Sequence, residues 1–120
     1  MAKTIEELEI FQEARKLAKE IYKITRNSKF NKDRSLKDQI RRSVVSIISN
    51  VAEGFERKSR IEFARFLSIA KGSCGETRAQ LIVALDQCYV SETDYRILSE
   101  SCLQIGRMTG SLIVYLKKNP

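Results

Sequence analysis

The 120-residue chain contains no histidine and no tryptophan, a single proline at Pro120, and five glycines. Without histidine there is no imidazole to act as base for a serine or cysteine nucleophile, and the commonest neutral metal ligand is missing. With so little proline and glycine, long helices are favoured over a strand-rich fold. The three cysteines, Cys74, Cys88 and Cys102, are odd in number, form no C-x-x-C pair and sit in apolar helical settings. They read as reduced core thiols of a cytosolic protein, not as a disulfide or zinc framework, and no metal or cofactor is expected. No charge-free apolar run approaches the ~20 residues of a membrane span. Lys3 and Glu6 interrupt the apolar start that a secretory signal would need, so the expected location is cytoplasmic. No glycine-rich phosphate loop follows a strand, because no strand is expected. Glu53 and Glu56 are spaced as on a solvated helix end, and the chain reads as non-enzymatic.

What is present is helical periodicity. Hydrophobic residues make up 42% of the chain, enough for a core in one domain spanning residues 1–120. Apolar stripes at spacings of three and four predict helices over about residues 5–27, 36–54, 60–89 and 92–118. The first carries Ile10, Ala14, Leu17, Ile21 and Ile24, and the second Leu36, Ile40, Val44, Ile47, Val51 and Phe55. On the third, Phe63, Phe66, Leu67, Ala70, Cys74, Thr77, Leu81, Leu85 and Cys88 share a face. On the fourth, Leu98, Cys102, Ile105, Thr109, Leu112 and Leu116 do so. Capping pairs precede each helix: Thr4 with Glu7, Ser35 with Asp38, Ser59 with Glu62, and Ser91 with Asp94. Short links between long helices predict an antiparallel up-down-up-down four-helix bundle. The polar link over residues 28–34 should be anchored to the bundle end by Phe30.

Two features exceed what a simple bundle needs. Val45, Ile48 and Ala52 give the second helix another apolar face, a candidate subunit interface. Gly72 and Gly75 on the third helix stand level with Gly110 and Gly106 on the fourth. Each mid-helix glycine costs about 1 kcal/mol relative to alanine, so the expectation is that these backbones approach closely, or that the ridge meets another subunit.

The stretch Ser49-Asn50-Val51-Ala52-Glu53-Gly54-Phe55 ends the second helix, with Gly54 where a helix would stop. Ser46, Asn50 and Glu53 lie on one face of it and should bond to the neighbouring turn or helix. The stretch resembles the S-N-[IV]-A-E-G-F signature of the four-helix-bundle proteins encoded in 23S rRNA intervening sequences. Glu62-Phe63, Arg65-Phe66-Leu67, Ala70, Gly72-Ser73 and Glu76 are similar to that family's next helix. Many members have a proline near Ile48, which this chain lacks. The resemblance implies a pentameric ring of bundles, similar to the accessory protein of diversity-generating retroelements, which works with nucleic acid and a reverse transcriptase. It implies no activity.

Charge supplies the functional expectation. Net charge is +7, and residues 23–42 hold eight cations, Lys23, Arg26, Lys29, Lys32, Arg34, Lys37, Arg41 and Arg42, against Asp33 and Asp38, a net of +6. In an antiparallel bundle these gather at one end, and a cyclic homo-oligomer repeats the patch. Such a surface attracts the phosphates of RNA or DNA without reading sequence. The alternative partner is an acidic protein docked on the same end. A second cluster, Arg57, Lys58 and Arg60, reads as structural, within the turn after the family motif.

Overall fold

Four long amphipathic segments can hide their apolar stripes only against one another. In the structure, a computed structural model that describes residues 2–118, they do so as an all-α bundle about 46 Å long and 19–21 Å across. A 3-10 turn, Ile5–Glu7, leads into α1 (Glu9–Ile24), a short α2 (Ser28–Lys32), α3 (Arg34–Glu56), α4 (Arg60–Asp86) and α5 (Glu92–Lys118). At 1.5 Å per residue, each of the 27-residue helices α4 and α5 is about 40 Å long, close to the long axis of the molecule. Among the described residues there is no strand, and no helix is long and apolar enough to cross a membrane.

The predicted stripes form the core. Ile21, Phe30, Ile40, Ile47, Leu67, Leu81 and Ile105 are its largest fully buried side chains. The caps at Ser59 and Ser91 form as expected: their hydroxyls accept from the N–H groups of Glu62 (3.2 Å) and Asp94 (3.0 Å). Two other caps differ. The Glu7 carboxylate accepts from the Thr4 N–H at 2.9 Å, but the box closes only the 3-10 turn, because Leu8 is extended (ψ 126°) and α1 begins after it. The N-cap of α3 is Asp33, which accepts from the Leu36 N–H at 3.1 Å and starts the helix before Ser35. An ionised carboxylate there satisfies a free N–H and suits the positive helix end.

The glycines act differently from the sequence-based expectation. None has a positive φ, and the two left-handed positions are filled by Lys58 (φ 56°) and Cys88 (φ 61°). Cys88 ends α4 in a Schellman arrangement: the Tyr89 N–H reaches the Ala84 carbonyl and the Cys88 N–H the Leu85 carbonyl, both at 2.9 Å. The third helix therefore stops at Asp86 and Cys88 is exposed, contrary to its expected core position. Cys74 and Cys102 are buried, and burial pushes their thiols up to about 11 and about 12.

Gly54 does not stop a helix. It lies inside α3, buried, where an added Cβ would come within 2.8 Å of the Phe66 Cβ and 2.9 Å of the Phe63 Cδ1. Here α3 and α4 pack too closely for a side chain at this position. The predicted close approach at Gly72, Gly75 and Gly106 is absent, since a Cβ at any of them meets nothing within 4 Å, and Gly110 faces only the Lys71 side chain. Gly75, Gly106 and Gly110 instead line an open groove between α4 and α5.

These two environments predict opposite responses to one substitution. Gly54→Ala should lower unfolding free energy by about 1–3 kcal/mol through overpacking, whereas Gly75→Ala should raise it by about 1 kcal/mol through helix propensity. Urea denaturation followed by circular dichroism checks both, and a stable Gly54→Ala protein would reject the close contact.

Candidate nucleic-acid interface

The basic segment is held by local chemistry around one aromatic pair. α1 ends at Thr25, whose hydroxyl donates to the Ile21 carbonyl at 2.8 Å. The Asn27 side chain then accepts from the Phe30 N–H at 2.9 Å and caps α2. The expected polar link is thus a helical turn, with Phe30 fully buried beneath it as the predicted anchor. Tyr89, in the turn between α4 and α5, fastens it from the other side. Its ring centre lies 5.2 Å from that of Phe30, its hydroxyl donates to Asp33 Oδ2 at 3.0 Å, and its carbonyl accepts from Asn27 Nδ2 at 3.2 Å. The bond to Asp33 raises the Tyr89 phenol above its ordinary pKa, because a phenolate would face the carboxylate.

Lys29, Lys32 and Arg34 are carried exposed on this pinned backbone, and Lys23, Arg26 and Arg42 are exposed beside it. Two of the eight cations are tied down. Lys37 donates to Asn31 Oδ1 at 2.9 Å. Arg41 is half-buried, donates from Nε to Thr25 Oγ1 at 2.9 Å, and stacks over Tyr22 with Cζ 4.4 Å from the ring centre. Six ion pairs occur among the described residues, and none uses any of these eight cations. Asp33 is engaged by Tyr89, and Asp38 lines the same cleft as Arg41 and Arg42 without closing an ion pair.

The structure also adds cations absent from the sequence-based set. These are Arg15 and Lys19, which with Tyr22 and with Arg26 of that set line one cleft on α1, while Arg41 and Arg42, with Asp38 beside them, line a second cleft on α3 that shares Tyr22. The signal was available as spacing: residues 15, 19, 22 and 26 form one helical stripe. Ser49 and Asn50 of the family motif, and Val45 from the predicted subunit interface, line the second cleft. The other two residues predicted for that interface, Ile48 and Ala52, are half-buried. Ser46 and Asn50 bond as expected to neighbours, Ser46 to Ser73 across the helix pair (2.9 Å) and Asn50 to the Ser46 carbonyl (2.8 Å). Glu53 pairs with Arg57 of the following turn at 3.0 Å, and Gly54 and Phe55 line a separate pocket beside that turn.

Comparison with known proteins follows this geometry. Residues 6–111 match the family model described as 23S rRNA-intervening sequence protein. A crystal structure of a protein with unknown function from the S23 ribosomal protein family of Bacteroides thetaiotaomicron is similar, with a TM-score of 0.79 and 26% identity over 87% of this chain and 97% of that one. No curated protein matches the chain.

Because Phe30 supports the whole basic turn, Phe30→Ala should cost about 3–5 kcal/mol of stability, the usual penalty for emptying a buried phenylalanine site. Chemical denaturation measures it. Amide exchange should speed up first over residues 26–36, and a loss below about 1 kcal/mol would mean that Tyr89 and the caps suffice.

Proposed function

We propose that this chain, which belongs to the 23S rRNA-intervening sequence protein family by its match over residues 6–111, is a non-enzymatic accessory protein that holds polynucleotide by its phosphates. The observation that carries this reading is the set of eight cations over residues 23–42 with no ion-pair partner among the described residues. Exposed, unpaired lysines and arginines release condensed counterions when they replace them on a phosphate backbone. Phosphate contacts of this kind position a polymer without selecting sequence. The family description refers to 23S rRNA, and RNA is the polymer to test first.

The arrangement we propose for the bundle is up-down-up-down, with α1, α3, α4 and α5 as its four long helices. Its support is that bonded residue numbers fall on one helix as they rise on the next: Ser43 with Thr77 and Ser46 with Ser73, then Lys71 beside Gly110 and Arg78 with Ser99. We further propose a closed homo-oligomer, a pentamer by family resemblance, whose seam includes the outer face of α4 and α5. Of the nine exposed large hydrophobic residues among the described residues, eight lie on these two helices, among them Ile61, Ile69, Ile97 and Val114, and Val45 lies on α3. Exposed apolar side chains concentrated on one helix pair favour that pair as the seam.

Two measurements test the function and the assembly. Neutralising Lys29, Arg34, Lys37, Arg41 and Arg42 should weaken RNA binding and flatten its salt dependence, each lost phosphate contact lowering the log–log slope by roughly 0.7–0.9. An unchanged slope would remove this surface as the footprint, and binding of an acidic protein in place of RNA would favour a docking scaffold. Sedimentation at micromolar concentration should show a closed oligomer that Ile69→Lys dissociates without unfolding. A persistent monomer would reject assembly, and dissociation by Val45→Glu alone would move the seam to α3.

A further inference from the structure

The two clefts that meet at Tyr22 differ in chemistry. The cleft on α1 holds Arg15, Lys16, Lys19 and Arg26 and no acid. Lys16 is held by Glu13 at 3.1 Å, and the other three join no ion pair among the described residues. That is a surface for phosphates. The cleft on α3 is mixed. Beside Arg41 and Arg42 it holds Asp38, whose carboxylate closes no ion pair among the described residues, and then Val45, Ser49 and Asn50. A phosphate entering there meets a like charge. A neutral group with N–H donors does not.

The wall between the clefts is a flat pair. Arg41 lies over Tyr22 with Cζ 4.4 Å from the ring centre, and its Nε donates to Thr25 Oγ1 at 2.9 Å. Contact on one face and one edge fixes the guanidinium plane. Both residues are half-buried and both line the α3 cleft, so each keeps surface open to it. With one face on Tyr22 and Nε on Thr25, Arg41 has its opposite face and its Nη groups left for the cleft. Val45, one turn further along α3 and 40% exposed, adds an apolar floor. One turn beyond that, the Ser49 hydroxyl and Asn50 Oδ1 carry no hydrogen bond among the described residues, while the Asn50 amide donates to Ser46. The stripe of Arg41, Val45 and Ser49 rises about 12 Å along α3, so a plane, an apolar contact and a polar edge follow one another on one face.

We propose that the α3 cleft takes an unpaired base of a single-stranded polynucleotide, stacked on the outer face of Arg41 and resting on Val45, while Arg15, Lys19 and Arg26 in the α1 cleft take neighbouring phosphates. The proposal rests on the polynucleotide reading above and narrows it to single strands. A base stacks on a guanidinium plane as it does on an aromatic ring. Tyr22 beneath Arg41 makes the stack three layers deep. The base is uncharged, so Asp38 does not repel it, and the Asp38 carboxylate and Asn50 Oδ1 stand at opposite ends of the cleft as acceptors for its N–H groups. A duplex keeps its bases paired inside and its phosphates outside, and so offers no base to such a plane. A single strand splays its bases from the backbone and fills both clefts at once. Stacking of this kind tolerates any base, in keeping with contact that does not select sequence.

The test measures binding of the full chain to a short single-stranded RNA and to an abasic strand of the same length and phosphate count, both fluorescently labelled. The intact strand should bind at least about fivefold more tightly, the low end of what stacking of one base supplies. Arg41→Lys keeps the positive charge and removes the plane, and should bring the ratio of the two affinities toward one. Arg15→Gln with Lys19→Gln should weaken both strands alike, flatten the salt dependence of each and leave their ratio as it was. Annealing the intact strand to its complement should abolish its sensitivity to Arg41→Lys. Equal binding of intact and abasic strands overturns the proposal and leaves the phosphate reading standing, as does a ratio that Arg41→Lys does not change. Failure of every polymer to bind removes both. Should Arg41→Lys unfold, the ratio for the unaltered chain decides, together with Tyr22→Leu, which takes away the layer beneath Arg41 and should lower that ratio.

Discussion

A row of hydroxyl contacts between α3 and α4 sets the register of this helix pair. Ser43, Ser73 and Thr77 are buried. Thr77 donates to the Ser73 carbonyl at 2.8 Å, the Ser43 and Thr77 hydroxyls meet at 2.8 Å, Ser43 reaches Gln80 Oε1 at 2.7 Å, and Ser46 meets Ser73 at 2.9 Å. A slide of one helix by a turn, about 5.4 Å, would break the Ser43–Thr77, Ser43–Gln80 and Ser46–Ser73 contacts together, leaving Ser43 and Thr77 only the bonds they make within their own helices. Apolar packing alone tolerates several registers, and the hydroxyl seam selects one. Gly54 then lets the same helices close further along, against Phe63 and Phe66.

Everything that carries charge is laid on that frame. With α3 fixed, Arg41 reaches Thr25 and Tyr22 on α1, and the two helices present their cations along shared clefts. The turn before α3 is fastened to the opposite corner of the bundle through Tyr89. The positive surface is therefore pre-organised in its backbone while most of its side-chain ends stay exposed. This combination suits an irregular polyanion: the protein loses little order on binding, and the lysines and arginines adjust to the phosphates.

Much of this was legible in the sequence, because helix periodicity, hydroxyl caps and one anchoring aromatic are local signals. The stripes, the helix order, the Ser59 and Ser91 caps and the burial of Phe30 could all be read from neighbouring residues. What was not legible depends on three-dimensional neighbours. The role of Gly54 is set by Phe63 and Phe66 across the helix pair, so a stop signal and a packing notch look alike in one dimension. The expectation of close packing at Gly72, Gly75 and Gly106 inferred contact from matching heights, but height does not say which way a helix face points. Cys88 sits at a helix end in the place glycine usually takes, and only the backbone shows that it leaves the core. Arg15 and Lys19 were overlooked because charge was summed along the chain, while the cleft gathers it across a helix face.

The family motif runs from Ser49, in the basic cleft, to Gly54 and Phe55, at the apolar pocket. Five residues of helix separate Ser49 from Gly54, a rise of about 7.5 Å. Along this span α3 is continuous, with no proline and no positive φ before Lys58. Coupling between two sites needs an element with two arrangements whose balance both ligands shift. A continuous helix, locked to α4 by buried hydroxyls on one side of this span and by the Gly54 contact at its end, offers no second arrangement. The physical consequence is that the motif acts as one rigid strut, holding the cleft at Arg42 and the turn at Arg60 at a fixed depth against α4.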